Sequence, residues 1–216
     1  MKPISDEHRP WPVPARRWDM TMTWHSLAFL HWPVAAESLQ ASIPEPLVLD
    51  TFDGQAWLGV VPFGMSNVRP RWAPPLPGVS RFPEINVRTY VTHDGKPGVW
   101  FYSLDATNWL AVRGARALFH LPYYDARIQL TESGDWVDYH SQRTHRGAAP
   151  ADFKGRYQPT GPVYRTRPGD LDYWLTERYC LYAADRRGRV YRGDILHEPW
   201  PLQPGHTAKP LRSPSK

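Results

Sequence analysis

The sequence has little of what secreted and membrane-spanning proteins need. Its single cysteine, Cys180, excludes an internal disulfide, and because it lies in an apolar run we interpret it as a small buried side chain. A reducing compartment is therefore expected. An apolar stretch at residues 24–36 is too short for a bilayer and is interrupted by His25, His31 and Pro33. We expect a cytoplasmic protein without a membrane partner.

Lysine is also scarce. Only five of the 26 basic residues are lysines, and these are Lys2, Lys96, Lys154, Lys209 and Lys216. The sequence around them indicates that three lie in the tails of the chain, one in a turn and one in a loop. A lysine that forms a Schiff base must be desolvated to be neutral at pH 7. None of these positions provides that environment, so lysine imine chemistry is not expected.

The motifs of several common enzyme classes are missing as well. There is no Gly-rich phosphate loop, no paired CxxC, no HExxH and no GxSxG nucleophile elbow. His140 and His145 stand five residues apart, a spacing that does not by itself make a metal site. We expect neither a metal nor a cofactor.

The net charge of +5 is scattered rather than gathered into one basic surface. The tightest basic cluster, at residues 186–189, is typical of a solvated hairpin tip. Nucleic-acid binding through a basic, aromatic surface is therefore the weakest of the functions considered. We expect a small-molecule ligand as the partner, and the sequence leaves self-association open.

What the chain does have is 11 tryptophans, 24 prolines and 15 glycines in 216 residues. Strands joined by turns that contain Pro and Gly give this mixture, and long helices do not. The length suits one β-rich domain. We divide it into an extended arm at residues 1–17, a barrel at residues 18–202 and a disordered tail at residues 203–216.

Hydrophobic periodicity predicts short strands, a few short helices and two long loops. The strands are expected at residues 56–63, 84–92, 99–104, 126–130, 136–141, 178–183 and 190–196. Helices are expected after Pro33, at residues 108–120 and at residues 171–175, and loops at residues 69–83 and 144–162.

The clearest strand, at residues 84–92, has one apolar face and one polar face. The polar face carries Glu84, Asn86, Arg88 and Tyr90. In a sheet packed on one side this face meets water, whereas in a closed barrel it lines an internal cavity. In the second case we expect Glu84 and Arg88 to form an ion pair, so that each buried charge compensates the other.

Several segments, taken in order along the chain, match one known family. They lie at residues 49–54 (Leu-Asp-Thr-Phe-Asp-Gly), 61–63, 82–91, 98–106, 116–123 and 175–179. Together they resemble the YqjF-like family of uncharacterised bacterial proteins, in the acetoacetate decarboxylase-like superfamily, over most of residues 18–202. The resemblance implies an α+β, β-rich fold, an antiparallel barrel or cone of the acetoacetate decarboxylase-like type with a few short helices around a small pocket. It implies no known activity.

The resemblance also suggests a site. In true acetoacetate decarboxylases a lysine follows a turn after the helix, and here the corresponding residues 119–124 end in Tyr123 and Tyr124. Glu84 is similar to a pocket glutamate of those enzymes. Arg88 and Asn86 would bind a small carboxylate or carbonyl compound, and Glu84 and Tyr123 are the candidate acid–base groups. A non-catalytic ligand-binding or housekeeping module, with the same residues in structural roles, remains the alternative.

Overall fold

A computed structural model describes residues 4–208 of the chain. Strands make up 46% of it and helices 11%. The strands are β1 (Met20–His25), β2 (Leu30–Val34), β3 (Val48–Leu49), β4 (Ala56–Pro70), β5 (Phe82–His93), β6 (Lys96–Ala106), β7 (Tyr123–Ser133), β8 (Trp136–Arg143), β9 (Asp152–Pro159), β10 (Cys180–Ala184), β11 (Val190–Asp194) and β12 (Gly205–Thr207). The helices are α1 (Ala36–Gln40), α2 (Trp109–Phe119) and α3 (Leu171–Thr176).

The strands form one curled half-barrel, which confirms the expected fold class. Along the sheet the order is β1-β4-β5-β6-β7-β8-β9-β12, with β2 beside β4, β3 beside β5 and the β10–β11 hairpin beside β6. Most pairs are antiparallel, but β6 runs parallel to both β7 and β10. A parallel pair needs a crossover connection, and α2 provides it between β6 and β7.

Local sequence explains where several elements begin and end. All four residues of the dipeptides Asp53-Gly54 and Asp94-Gly95 have positive φ angles, the backbone conformation that tight hairpin turns require. Asn108 caps α2 by accepting hydrogen bonds from two backbone N–H groups of its first turn.

The two faces of β5 contact different parts of the molecule. Ile85 and Val87 pack against β7, β8 and β9, with Ala126 and Tyr139 among their neighbours. The alternation also predicts that Ile85, Val87 and Val91 pack against a helix or loop. For Ile85 and Val87 this is wrong, because the sheet curls back and covers that face with its own strands, whereas the cluster around Val91 does include α1 and the loop after it. The polar face of β5 is the opposite face, and the clusters beside it include residues of α2 and α3.

Three further expectations are corrected. Residues 152–159 form β9 inside the predicted loop, and residues 205–207 form β12, which pairs with β9 inside the predicted tail. The remainder of that tail, residues 209–216, lies outside the described residues. Pro33 lies in β2 rather than in a helix; because β2 pairs only with β4, a proline without an N–H is tolerated there.

The N-terminal residues 4–19 contain no helix or strand and run as an arm over the end of the sheet. The arm is docked through Arg9, whose buried guanidinium donates to the Tyr179 carbonyl at 3.2 Å and to Asp194 at 3.3 Å. Trp11 donates to the same carboxylate at 3.0 Å. Within residues 4–208 no helix is long and apolar enough to cross a membrane.

Candidate functional site

The polar face of β5 carries three buried polar side chains in a row, Glu84, Asn86 and Arg88, which we call the polar strip. They are 2%, 1% and 6% exposed. Each has one buried polar atom without a hydrogen-bond partner, namely Glu84 Oε2, Asn86 Oδ1 and Arg88 Nε. An unpaired buried polar atom costs about 1–3 kcal/mol. The strip is therefore the kind of place where a small polar molecule gains free energy by binding.

Apolar clusters enclose the polar strip at both ends. Val61 and Phe63 of β4 lie opposite Asn86 and Glu84 and belong to a cluster that α2 covers with Val112. At the other end the cluster contains Tyr90, Phe101 and Leu175 of α3. This low-polarity surround strengthens any electrostatic contact made at the strip.

Glu84 is in an unusual protonation state for a carboxyl group. Burial raises its pKa from 4.5 to about 8, the hydrogen bond donated by the Tyr123 hydroxyl lowers it, and the negative charge of Asp105 raises it further. At pH 7 the side chain is therefore predominantly the neutral acid. A neutral carboxylic acid can donate a hydrogen bond as well as accept one.

Glu84 and Arg88 do not form the ion pair that the sequence suggested. Among the described residues no carboxylate lies within 4.0 Å of the Arg88 guanidinium, and that group lies 5.2 Å from the Phe29 ring and 5.8 Å from the Tyr90 ring. Four residues along a strand span about 13 Å. The expected pair was wrong because strand residues four apart are not neighbours.

Tyr90 organises the Arg88 end of the strip. Its hydroxyl donates to the Leu175 carbonyl at 2.8 Å and lies 2.6 Å from His31 Nε2. Burial and the nearby Arg88 charge lower the pKa of His31 to about 3, so its ring is neutral. Glycine at position 59 leaves room for the His31 and Arg88 side chains. A Cβ at this position would lie only 3.0 Å from His31 Nε2 and 3.2 Å from Arg88 Cγ, which is closer than ordinary van der Waals contact.

A second buried arginine, Arg178, packs against the same Tyr90 ring. The Arg178 guanidinium lies 4.7 Å from the Tyr90 ring and 4.3 Å from the Trp174 ring, and its Nη1 donates to Asp50 at 2.6 Å. Its Nη2 is buried without a partner, and so is Nε1 of Trp57 in the same cluster. Sequence reasoning missed Arg178 as a site residue, because its distance in sequence from β5 gives no signal of this contact.

A group of aromatic rings lies beside the polar strip. Trp200 packs on Trp24 and Phe29 with ring centroids 5.6 and 5.5 Å apart, and Trp24 packs on Phe63 at 4.3 Å. The His197 ring lies 5.0 Å from the Trp200 ring. The C-terminal segment thus helps to cover the candidate site.

Two surface grooves lie outside the strip. One, of about 640 Å³, is lined by Arg69, Arg71 and Trp72, and the other, of about 270 Å³, lies beside Tyr102 and Tyr182. Neither is lined by the polar strip. The structure buries Glu84, Asn86 and Arg88 on one face of β5, with Tyr123 beside Glu84, and one enclosed cavity around them stays a prediction.

Solved structures of similar shape define the class of fold. Acetoacetate decarboxylase from Legionella pneumophila matches with a TM-score of 0.57 at 15% identity, over 93% of this chain and 80% of that one. The enduracididine biosynthesis enzyme MppR matches with a TM-score of 0.55 at 10% identity, over 82% of this chain and 67% of that one. These likenesses establish an acetoacetate decarboxylase-like fold.

Sequence comparison then establishes the family. The profile of DUF2071, an uncharacterized conserved protein family, matches residues 21–212. The uncharacterized protein YqjF of Bacillus subtilis is 47% identical over 191 residues, which cover 88% of this chain and 78% of the relative. The chain belongs to the DUF2071 family, and the resemblance found in the sequence is confirmed.

Proposed function

We propose that the protein binds a small carboxylate or carbonyl compound at the polar strip, without forming an imine to lysine. One observation carries this proposal: three side chains in a row on the polar face of β5 are buried, and each has an unpaired polar atom. Buried polar atoms in proteins are normally paired. A row of three exceptions supports a binding role over the structural role left open by the sequence.

The chemistry of the strip matches such a ligand. Arg88 is a buried cation without a carboxylate partner among the described residues, and an anionic ligand would supply the missing charge. Its guanidinium can bind a carboxylate through charge-assisted hydrogen bonds. Glu84, as a neutral acid that accepts a hydrogen bond from the Tyr123 hydroxyl, can donate to a carbonyl oxygen.

The positions of the lysines support binding without an imine. Lys96 and Lys154 are the two lysines within residues 4–208. Lys96 begins β6 next to a turn, and Lys154 is exposed on β9. Neither has the desolvated position beside the polar strip that a Schiff-base lysine needs.

One structural neighbour is known with a compound of this class. MppR has been solved with pyruvate, in a structure that matches this chain with a TM-score of 0.52 at 11% identity. Pyruvate carries both a carboxylate and a carbonyl group. It is therefore a suitable first probe for this protein, next to acetoacetate.

The test is calorimetric titration of the purified protein with acetoacetate and with its uncharged amide. We expect acetoacetate to bind at least about tenfold more tightly than the amide, because a buried arginine–carboxylate contact is worth more than about 1.4 kcal/mol. Arg88→Ala should remove this preference. The matched control is Arg187→Ala, which deletes an exposed arginine in the β10–β11 turn and should leave the affinity unchanged.

Circular dichroism on each variant confirms that the measured protein is folded. Equal weakening by Arg88→Ala and Arg187→Ala would mean that the arginines act only through net charge. If acetoacetate binds equally well to the Arg88→Ala variant, or if neither acetoacetate nor pyruvate binds, the proposal is overturned and a structural role for the strip is favoured.

A further inference from the structure

The two ends of the polar strip differ in hydrogen-bonding character. Resting on the proposed function, we propose that the natural ligand is a bifunctional acid longer than a 2-oxo acid: its carboxylate binds beside Tyr90, and a second oxygen-bearing group binds at Glu84 and Asn86. The inference follows from which unpaired atoms lie at which end, and from the length of strand between them.

The Tyr90 end offers only donors. The unpaired atoms there are Arg88 Nε, Arg178 Nη2 and Trp57 Nε1, and each carries an N–H group. Arg88 and Arg178 lie 5.8 and 4.7 Å from the same Tyr90 ring, and Asp50 is the carboxylate that pairs with Arg178. Two arginines with one carboxylate leave one positive charge, and His31 beside them is neutral. A ligand carboxylate, with two oxygens and about four acceptor sites, fits this end.

The Glu84 end has a different character. Glu84 Oε2 and Asn86 Oδ1 are unpaired, and no positive side chain lies within 4.0 Å of the Glu84 carboxyl among the described residues. Asp105 lies close enough to repel a negative charge at this position. A second carboxylate is therefore disfavoured here. A neutral hydroxyl group can accept from the protonated Glu84 and donate to Asn86 Oδ1, and a carbonyl group can accept from Glu84 or from the Asn86 amide N–H.

The distance between the ends sets the minimum length. Asn86, the nearer residue of the Glu84 end, lies about 7 Å from Arg88 at the Cα atoms, since a strand rises about 3.3 Å per residue. The Arg88 guanidinium itself lies 5.2 Å from the Phe29 ring and 5.8 Å from the Tyr90 ring. In a 2-oxo acid the carboxylate and carbonyl occupy adjacent carbons, so such a molecule reaches one end at a time. A chain with several carbons between the two groups reaches both.

The experiment is a calorimetric series with pyruvate, 4-oxopentanoate, 5-oxohexanoate and hexanoate. We expect 5-oxohexanoate to bind at least about tenfold more tightly than pyruvate, and about fivefold more tightly than hexanoate, the ratio that one hydrogen bond typically gives. Asn86→Ala should weaken 5-oxohexanoate and leave hexanoate unchanged. If that variant does not fold, the comparison of 5-oxohexanoate with hexanoate on the unaltered protein still tests the proposal.

The outcomes separate this inference from the proposed function. Equal affinity for hexanoate and 5-oxohexanoate, or tighter binding of pyruvate than of the longer acids, would overturn the two-ended ligand. If Arg88→Ala nevertheless weakens every acid in the series, carboxylate binding at the strip still stands. If Arg88→Ala changes none of them, the proposed function itself fails.

Discussion

Glu84 is the residue whose chemistry departs furthest from its behaviour in water. Below about pH 4.5 both the folded and the unfolded protein hold its proton, so the stabilisation from this group is fully present. As the pH rises, the unfolded chain releases the proton first, while the folded chain holds it until about pH 8. The free energy of unfolding should therefore fall between these two pH values, on the order of 1.4 kcal/mol per pH unit at most.

Glu84→Gln isolates this effect, because the amide has nearly the same shape and does not titrate. Urea unfolding of both proteins at pH values from about 5 to about 8 should show wild type losing stability relative to the variant. Parallel curves over this range would mean that Glu84 is ionised in the folded protein. The donor role assigned to it would then be wrong.

Arg88 and Glu84 should act independently on stability. They share no ion pair, and residues more than about 7–10 Å apart usually give additive changes, within about 0.5 kcal/mol. We expect the loss in the double variant Arg88→Ala with Glu84→Gln to equal the sum of the two single losses, in chemical denaturation of all four proteins. Recovery of stability in the double variant would show that the two side chains interact after all.

At the scale of strands and helices, the sequence predicts what depends on near neighbours. The alternation in β5 and the Asp-Gly turns identify the polar face and the hairpins, because these depend on residues two to four apart. β9 and β12 were missed, since a strand among Gly, Pro and Ala residues is recognisable only from its partner across the sheet. The contacts of Arg88 with Phe29 and of Arg178 with Tyr90 likewise depend on the curl of the whole sheet.

One buried ion pair connects β6 and β8, two strands that are separated by β7 in the sheet. Arg143 of β8 donates to Asp105 of β6 through Nε at 2.6 Å and Nη2 at 2.7 Å, with side chains 11% and 6% exposed. Removing one partner of a buried pair leaves the other charge without compensation. We expect Arg143→Ala to lower the free energy of unfolding by about 3–5 kcal/mol.

The sheet also contains a matched control for that change. Arg156 of β9 pairs with Asp138 of β8 at 3.6 Å, and both side chains are about half exposed. Arg156→Ala should cost less than about 1 kcal/mol, because water screens and replaces the lost contact. Chemical denaturation of the Arg143→Ala and Arg156→Ala variants in parallel measures the two losses in free energy of unfolding. Equal losses would show that the Asp105 pair is solvated rather than buried.

At the scale of the whole molecule, both ends of the chain support the candidate site. His8 in the N-terminal arm donates to the His197 carbonyl at 2.7 Å, and His197 stacks on Tyr179 at 4.6 Å. The same segment continues to Trp200, whose backbone N–H donates to Glu177 at 2.9 Å and whose ring covers Phe29. The arm therefore contacts the segment whose Trp200 packs beside the polar strip.

The expectation that no lysine imine forms concerns the whole chain, since any of its five lysines carries an amine that can react. Borohydride reduces an imine to a stable amine and so attaches the carbonyl compound permanently to the lysine. With acetoacetate and borohydride we expect no lysine-containing peptide to gain mass, because Lys154 is exposed to water and Lys96 lies beside a turn away from the strip. An acetoacetate decarboxylase treated in parallel shows that the reagents work. A mass gain on any lysine, dependent on acetoacetate and suppressed in Arg88→Ala, would mean that the strip delivers the ligand to an amine and that imine chemistry is part of the function.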